Sequence, residues 1–332
     1  MQQNKPRVLP KVIVSSVIRS SQKGESHGGI YLVDLERETT RQVYDWNDPS
    51  ISWEGRGGDR GLRGIAFYGD DIYLAGSDEL FCFDLDFKIK ATYRNHYLKH
   101  VHEISVDRDR LLISSTGFDS ILTFDLQQKA FVSGLCFRRK LPSLKNRVVR
   151  KLRRSLFASV PLKYQFDFFR FDPLQHRGPS PQDTIHLNNV FTKDDALYFS
   201  GTGMNELVRY REGQFDCYAL VPRGTHNVQF VQAHLLYNDT PQNRVVLQKG
   251  EQLQYWLIPS YQPTVLKYQD LPKDHARQAF GRGLCTFETW IIGGSSPATI
   301  TVYSLAEEKI VKSINLSNDI RNAIHGLEIW PF

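Results

Sequence analysis

The sequence predicts an all-β fold, a six-bladed β-propeller, and three observations predict it. A unit of about 40 residues recurs along the 332-residue chain, and each unit opens on a short alternating strand in the same register. The last unit stops after one strand, which is the strand the first unit lacks.

The units align as "RGIAFYGDDIYLAG" from Arg63, "HEISVDRDRLLISS" from His102, "NNVFTKDDALYFSG" from Asn188, "HNVQFVQAHLLYND" from His226, "RGLCTFETWIIGG" from Arg282 and "HGLEIWPF" from His325. In the first five, an apolar residue two places in is followed seven places on by another: Ile65 and Ile72, Ile104 and Leu111, Val190 and Leu197, Val228 and Leu235, Leu284 and Ile291. That register means two short strands joined by a tight polar turn. Third strands ("LFCFDLD", "ILTFDLQ", "LVRYREG", "ITVYSLAEE") and fourth strands ("IKATYR", "FVSGLCF", "FDCYALV", "IVKSINL") follow. Four strands per unit is the requirement for a propeller blade. Near the N-terminus, "KVIVSSVIRSSQKGESHGGIYLVDLERETTRQVYDW" supplies second, third and fourth strands, so the final "HGLEIWPF" completes that blade and closes the ring without an open edge.

Composition agrees. Twenty Phe and fifteen Tyr favour strands, and 41 % hydrophobic residues exclude a disordered chain. No run approaches the roughly 18 apolar residues of a membrane helix, and "MQQNKPRVLP" lacks the apolar core of a signal peptide, so the expectation is a soluble cytoplasmic protein forming one domain over 1–332. Cys82, Cys136, Cys217 and Cys285 form no Cys-x-x-Cys pair, and most sit in apolar strand patterns, which predicts buried structural thiols.

The net charge of +6 is concentrated. Residues 138–154, "RRKLPSLKNRVVRKLRR", contain nine Lys and Arg and no acid, so the rest of the chain is net negative. Leu144, Val148, Leu152 and Leu156 recur there at helical spacing, which predicts a basic amphipathic helix inside an insertion spanning 138–182, with the aromatics of "YQFDFFRF" docking it on the barrel. Such an insertion is a lid candidate over the channel or a contact for an anionic membrane surface. Nucleic acid is disfavoured, because no aromatic platform is interleaved with the basic residues.

The first strand of each blade lines the central channel, so Arg63, His102, Asn188, His226, Arg282 and His325 form a ring at its mouth. None is apolar, and histidine occupies alternate blades. Three imidazoles converging from three sides, His102, His226 and His325, are a candidate site for a divalent metal, zinc first, with iron and manganese also compatible with the ligand type. A histidine at a strand entrance also serves simply to hydrogen-bond a neighbouring backbone, and that alternative stays open. His186 is a further candidate ligand or substrate contact. Arg63 and Arg282, with Arg56 and Arg60 in the glycine-rich "EGRGGDRGLRG", suit a carboxylate or phosphate. The turns "STGFDS", "GTGMNE" and "NDTPQN" are expected at the same face, with Asn238 and Asp239 as substrate-binding or general-base candidates.

On the repeat and the channel histidines, the chain resembles the six-bladed propellers that include the peptidyl-hydroxyglycine amidating lyase and the lactonase and strictosidine-synthase-like proteins. "HLNNV" at 186–190 is also similar to the His-Leu-Asn element of an uncharacterised bacterial propeller family. The amidating-lyase resemblance implies zinc on His102, His226 and His325 with Arg63 or Arg282 as the accompanying catalytic arginine. The function expected is therefore a metal-dependent lyase or hydrolase acting on an anionic small or oligomeric substrate, with Asn188 among the residues that bind it. The competing expectation is a non-catalytic propeller that binds a glycan or a protein at its mouth.

Overall fold

The computed structural model describes residues 8–47, 61–139, 166–271 and 277–332. The expected helix of the basic insertion, Arg56 and Arg60 all lie outside these residues.

Six sheets form a ring. The closing blade joins β1 (Lys11–Ile18), β2 (Gly29–Asp34) and β3 (Thr39–Asp45) to the last strand of the chain. The second blade is β4 (Ile65–Tyr68), β5 (Asp71–Ala75), β6 (Glu79–Phe83) and β7 (Ile89–Arg94). The third is β8 (Val101–Asp107), β9 (Arg110–Ser115), β10 (Ser120–Asp125), β11 (Ala130–Arg139) and a fifth strand, β12 (Phe166–Phe171). The fourth runs β13 (Leu187–Lys193), β14 (Ala196–Gly201), β15 (Glu206–Arg211) and β16 (Gln214–Leu220), and the fifth β17 (Thr225–Val231), β18 (His234–Asp239), β19 (Arg244–Lys249) and β20 (Gln252–Leu257). The sixth is β21 (Leu284–Phe287), β22 (Trp290–Ser295), β23 (Thr299–Ser304) and β24 (Ile310–Asn315), after which β25 (Asn322–Ile329) pairs antiparallel with β1.

The closure read from the termini is therefore present. Val12 faces Ile329 and Val14 faces Leu327, so the seam is sealed by the same apolar alternation that builds every other blade. Ring geometry also appears in the packing, because each of the six blade-to-blade interfaces holds its own apolar cluster. Ile13, Ile65 and Phe83 belong to the one between the closing and second blades. Val14, Ile292 and Ile324 belong to the one between the closing and sixth blades. Each such buried side chain contributes roughly 1.5–3 kcal/mol, so the seam is a full interface.

Two glycines show how tightly the inner strands meet. Gly64 donates its N–H to the carbonyl of His102 at 2.9 Å. A Cβ on Gly326 would lie 2.3 Å from the Arg63 carbonyl oxygen, closer than any side chain tolerates. The glycine after the ring residue is thus where neighbouring blades touch.

The aromatics at the end of the insertion form a strand: Phe166–Phe171 are β12, paired antiparallel with β11 from Gly134 opposite Phe171 to Arg139 opposite Phe166, and the helix they were expected to dock lies outside the described residues. Alternation of aromatic and polar residues in "FDFFRF" is a strand pattern, and the unpaired edge of β11 was available to it. All four cysteines are free, and Cys82, Cys136 and Cys285 are buried, as their strand contexts predicted. Among the described residues no helix is long and apolar enough to cross a membrane.

Candidate functional site

All six predicted ring residues are buried: Arg63, His102, Asn188, His226, Arg282 and His325. They sit at or just before the start of the inner strands β4, β8, β13, β17 and β21, and within β25. The rings of His102 and His325 are 6.3 Å apart between centroids, and His186 stands 5.2 Å from His102. Arg63 Nη1 donates to the Val101 carbonyl at 3.0 Å and lies 3.4 Å from His102 Nε2. Arg282 Nη1 lies 3.4 Å from His325 Nδ1.

Hydrogen-bond partners assign the imidazole tautomers. His102 Nδ1 is 2.9 Å from the carbonyl of His100 and 2.7 Å from Thr116 Oγ1, and that hydroxyl donates to the carbonyl of Leu187. Only a protonated Nδ1 satisfies a carbonyl, so the lone pair of His102 is on Nε2. His226 repeats the arrangement: its Nδ1 is 2.9 Å from Thr240 Oγ1, which donates to the Gly281 carbonyl at 3.1 Å. His325 is opposite, because a guanidinium can only donate. Its Nδ1 accepts from Arg282, and its proton is on Nε2. Among the described residues, neither His226 Nε2 nor His325 Nε2 has a hydrogen-bond partner, although both are buried. Within the ring, and among the described residues, one buried acceptor and one buried donor therefore lack a partner.

Burial, reinforced by the positive charges of Arg63 and Arg282, holds His102 and His325 well below the usual imidazole range. His226 is lowered by burial and then by Arg282. All three are neutral at pH 7.

A second layer, which sequence reading missed, lies along the same inner strands. Glu103 follows His102, and Glu328 lies three residues beyond His325. Burial in the channel pushes Glu103 up to about 7 and Glu328 up to about 8, the latter also repelled by Glu103. Glu103 Oε1 accepts from Asn227 Nδ2 at 2.9 Å, a contact reaching across β13, and Asn227 Oδ1 accepts from Asn238 Nδ2 at 3.1 Å. Asn238 thus reaches the channel through Asn227. Asp239 instead accepts from Arg244 Nε at 2.8 Å, and Asn188 Nδ2 is held by the Thr225 carbonyl at 3.2 Å. His186 Nδ1 rests 3.0 Å from the Asp183 carboxylate.

Also missed were the anchors Thr116 and Thr240 and the platform Phe280. The threonines lie in turns expected at this face, but each is one residue of an ordinary polar turn. Phe280 lies 5.7 Å from His226, and Arg19, Arg277 and Arg282 surround its ring at 4.8, 4.7 and 4.9 Å from the centroid.

A divalent ion fits this set in part. Neutral imidazoles with Nδ1 fixed by a hydroxyl are the usual preparation of a metal ligand, and His102 and His226 have it. His325 does not, since Arg282 faces its Nδ1. Among the described residues, no three His, Cys, Asp or Glu side chains are grouped closely enough to hold an ion.

No family model matches the chain, and no curated protein matches it. Solved structures do. A chain of a nidogen/laminin complex is similar over 96 % of this protein and 97 % of its own length, with TM-score 0.54 and 11 % identity. A protein of unknown function from Bacteroides caccae is similar over 96 % and 98 %, with TM-score 0.53 and 9 % identity. At such identities the likeness extends to architecture alone, and it is that of a six-bladed β-propeller.

Proposed function

We propose that the channel mouth binds a small oxyanion that also carries a hydrogen-bond donor, such as a hydroxy acid or a hydrogen phosphate. The observation that supports this most is the pair of buried nitrogens, His226 Nε2 and His325 Nε2, that have no partner among the described residues and lie beside the guanidiniums of Arg63 and Arg282. Leaving such atoms unsatisfied costs roughly 1–3 kcal/mol each, which a ligand would recover. Arginine supplies charge and two parallel donors to an oxyanion, His325 Nε2–H adds a third kind of donor, and His226 Nε2 accepts from a hydroxyl. An accepting imidazole next to a bound hydroxyl is also placed to remove its proton, which is the first requirement of a lyase or hydrolase. A protein or glycan partner presenting such a group at the mouth is the non-catalytic form of the same reading.

A divalent ion is a second reading, favoured by the threonine-fixed Nδ1 atoms of His102 and His226. Zinc would act there as a Lewis acid. His102, His226 and His325 would hold it, with Arg282 turned from His325. The free cysteines accord with a reducing, cytoplasmic setting.

Titration calorimetry with glycolate and with inorganic phosphate tests the anion reading, using wild type, R63M and R282M. The expected result is binding that each variant weakens at least about tenfold. No binding of either probe by folded wild type would overturn it. Elemental analysis of untagged protein tests the ion, which near-stoichiometric metal, lost in H102A/H226A, would support.

A further inference from the structure

Among the described residues, the half-buried guanidinium of Arg277 is held only by neutral groups. It donates to the Thr240 carbonyl and, at 3.1 Å, to Asn243 Oδ1, and its Nε is buried without a partner among the described residues. No carboxylate among the described residues pairs with it, and burial lowers its pKa. It stacks on Phe280 4.7 Å from the ring centroid, where Arg19 and Arg282 also lie within 4.9 Å. Three guanidiniums around one benzene ring repel one another, and the repulsion grows as water is excluded. Arg63, for its part, stands beside His102. The mouth therefore has two cationic centres, bridged by Arg282, which touches both His325 and Phe280.

We propose that Arg277, Arg19 and Phe280 form a second anion subsite at the mouth, so that the ligand carries two anionic groups, one at each centre. This rests on the anion reading above and specifies its ligand class: a dicarboxylate or a phosphorylated hydroxy acid. Phe280 is the surface around which the three guanidiniums gather, and Thr240 couples the subsites, since its carbonyl fixes Arg277 while its hydroxyl fixes His226.

The test is titration calorimetry at fixed ionic strength with glycolate, malonate and 2-phosphoglycolate. Wild type is expected to bind at least one dianion about tenfold or more tighter than glycolate, and the one preferred distinguishes a carboxylate from a phosphate at the second centre. R277M is expected to abolish that advantage while changing glycolate affinity less than about twofold. R277K, which keeps the charge but not the fork, should fall between, and it serves if R277M does not fold. Equal affinity for all three probes in wild type, or a dianion advantage that survives in R277M and in R277K, would overturn the second subsite while leaving the anion reading intact. Binding of none of the three would overturn both.

Discussion

His226 Nδ1 lies 2.9 Å from Thr240 Oγ1, and the same pairing recurs two blades away between His102 and Thr116 at 2.7 Å. In each case the histidine opens the inner strand and the threonine, fourteen residues later, follows the second strand of the same blade. In each case too, the hydroxyl donates a hydrogen bond to a carbonyl of the next blade, Gly281 or Leu187. One hydroxyl thus fixes an imidazole and staples two blades.

Replacing Thr240 by valine keeps its shape and removes both bonds. The expected outcome is a loss of about 1–3 kcal/mol in urea unfolding, together with mixing of the His226 tautomers visible in long-range proton–nitrogen NMR spectra. An unchanged single tautomer in T240V would mean that something other than the hydroxyl sets it.

The histidine ring makes the protein acid-sensitive. Each imidazole is held neutral in the folded state, whereas the unfolded chain takes up a proton near pH 6.5, so the unfolded state binds more protons as pH falls and stability drops below that value. A variant with glutamine at 102, 226 and 325 should lose this acid slope, measured as the urea midpoint between pH 7 and pH 5.5.

The channel carboxyls act with the opposite sign. Glu103 and Glu328 titrate at about 7 and about 8 when folded but near 4.5 when unfolded, so the folded state binds more protons between those limits. Stability should therefore fall as pH rises from 4.5 to about 8 on their account. Between pH 7 and pH 8.5 the histidines are silent, and wild type should lose stability where E103Q/E328Q stays flat. In the acid range the same double variant should show a steeper loss than wild type, because the opposing contribution is gone.

At the seam, Ser15 Oγ accepts the Gly326 N–H at 2.9 Å and itself donates to the Arg63 carbonyl, tying β1 and β25 of the closing blade to the segment that leads into β4 of the second. A methyl at Gly326 meets that carbonyl, so G326A should destabilise by about 1–3 kcal/mol, checked by chemical unfolding. S15A should lower stability less, since it removes bonds without adding bulk.

The architecture was legible because propeller blades are mostly local: an Ile65 to Ile72 spacing encodes its own sheet with no distant partner, and the distant pairing of β25 with β1 was marked by a strand missing before Lys11 and a lone strand near the other terminus. Ring residues were legible for the same reason, each being the first of its repeat. What supports them was not. Thr116 and Thr240 act on histidines of their own blade through turns with no composition signal. Arg277 and Phe280 belong to a connection outside the repeat, so no register points to them. Glu103 was visible as an acid in a strand, but its partner Asn227 comes from a blade two places round the ring, a proximity that only closure creates. The fifth strand of the third blade was hidden because the repeat allots four strands to a unit and gives "FDFFRF" no place in its register.

Anomalous scattering from crystals soaked in selenate, recorded at the selenium edge, tests the anion site most directly. The account predicts a peak at the channel mouth within hydrogen-bond reach of Arg282 and His325, absent in R282M crystals. A mouth without a selenium peak, in crystals that take up selenate elsewhere, would contradict it.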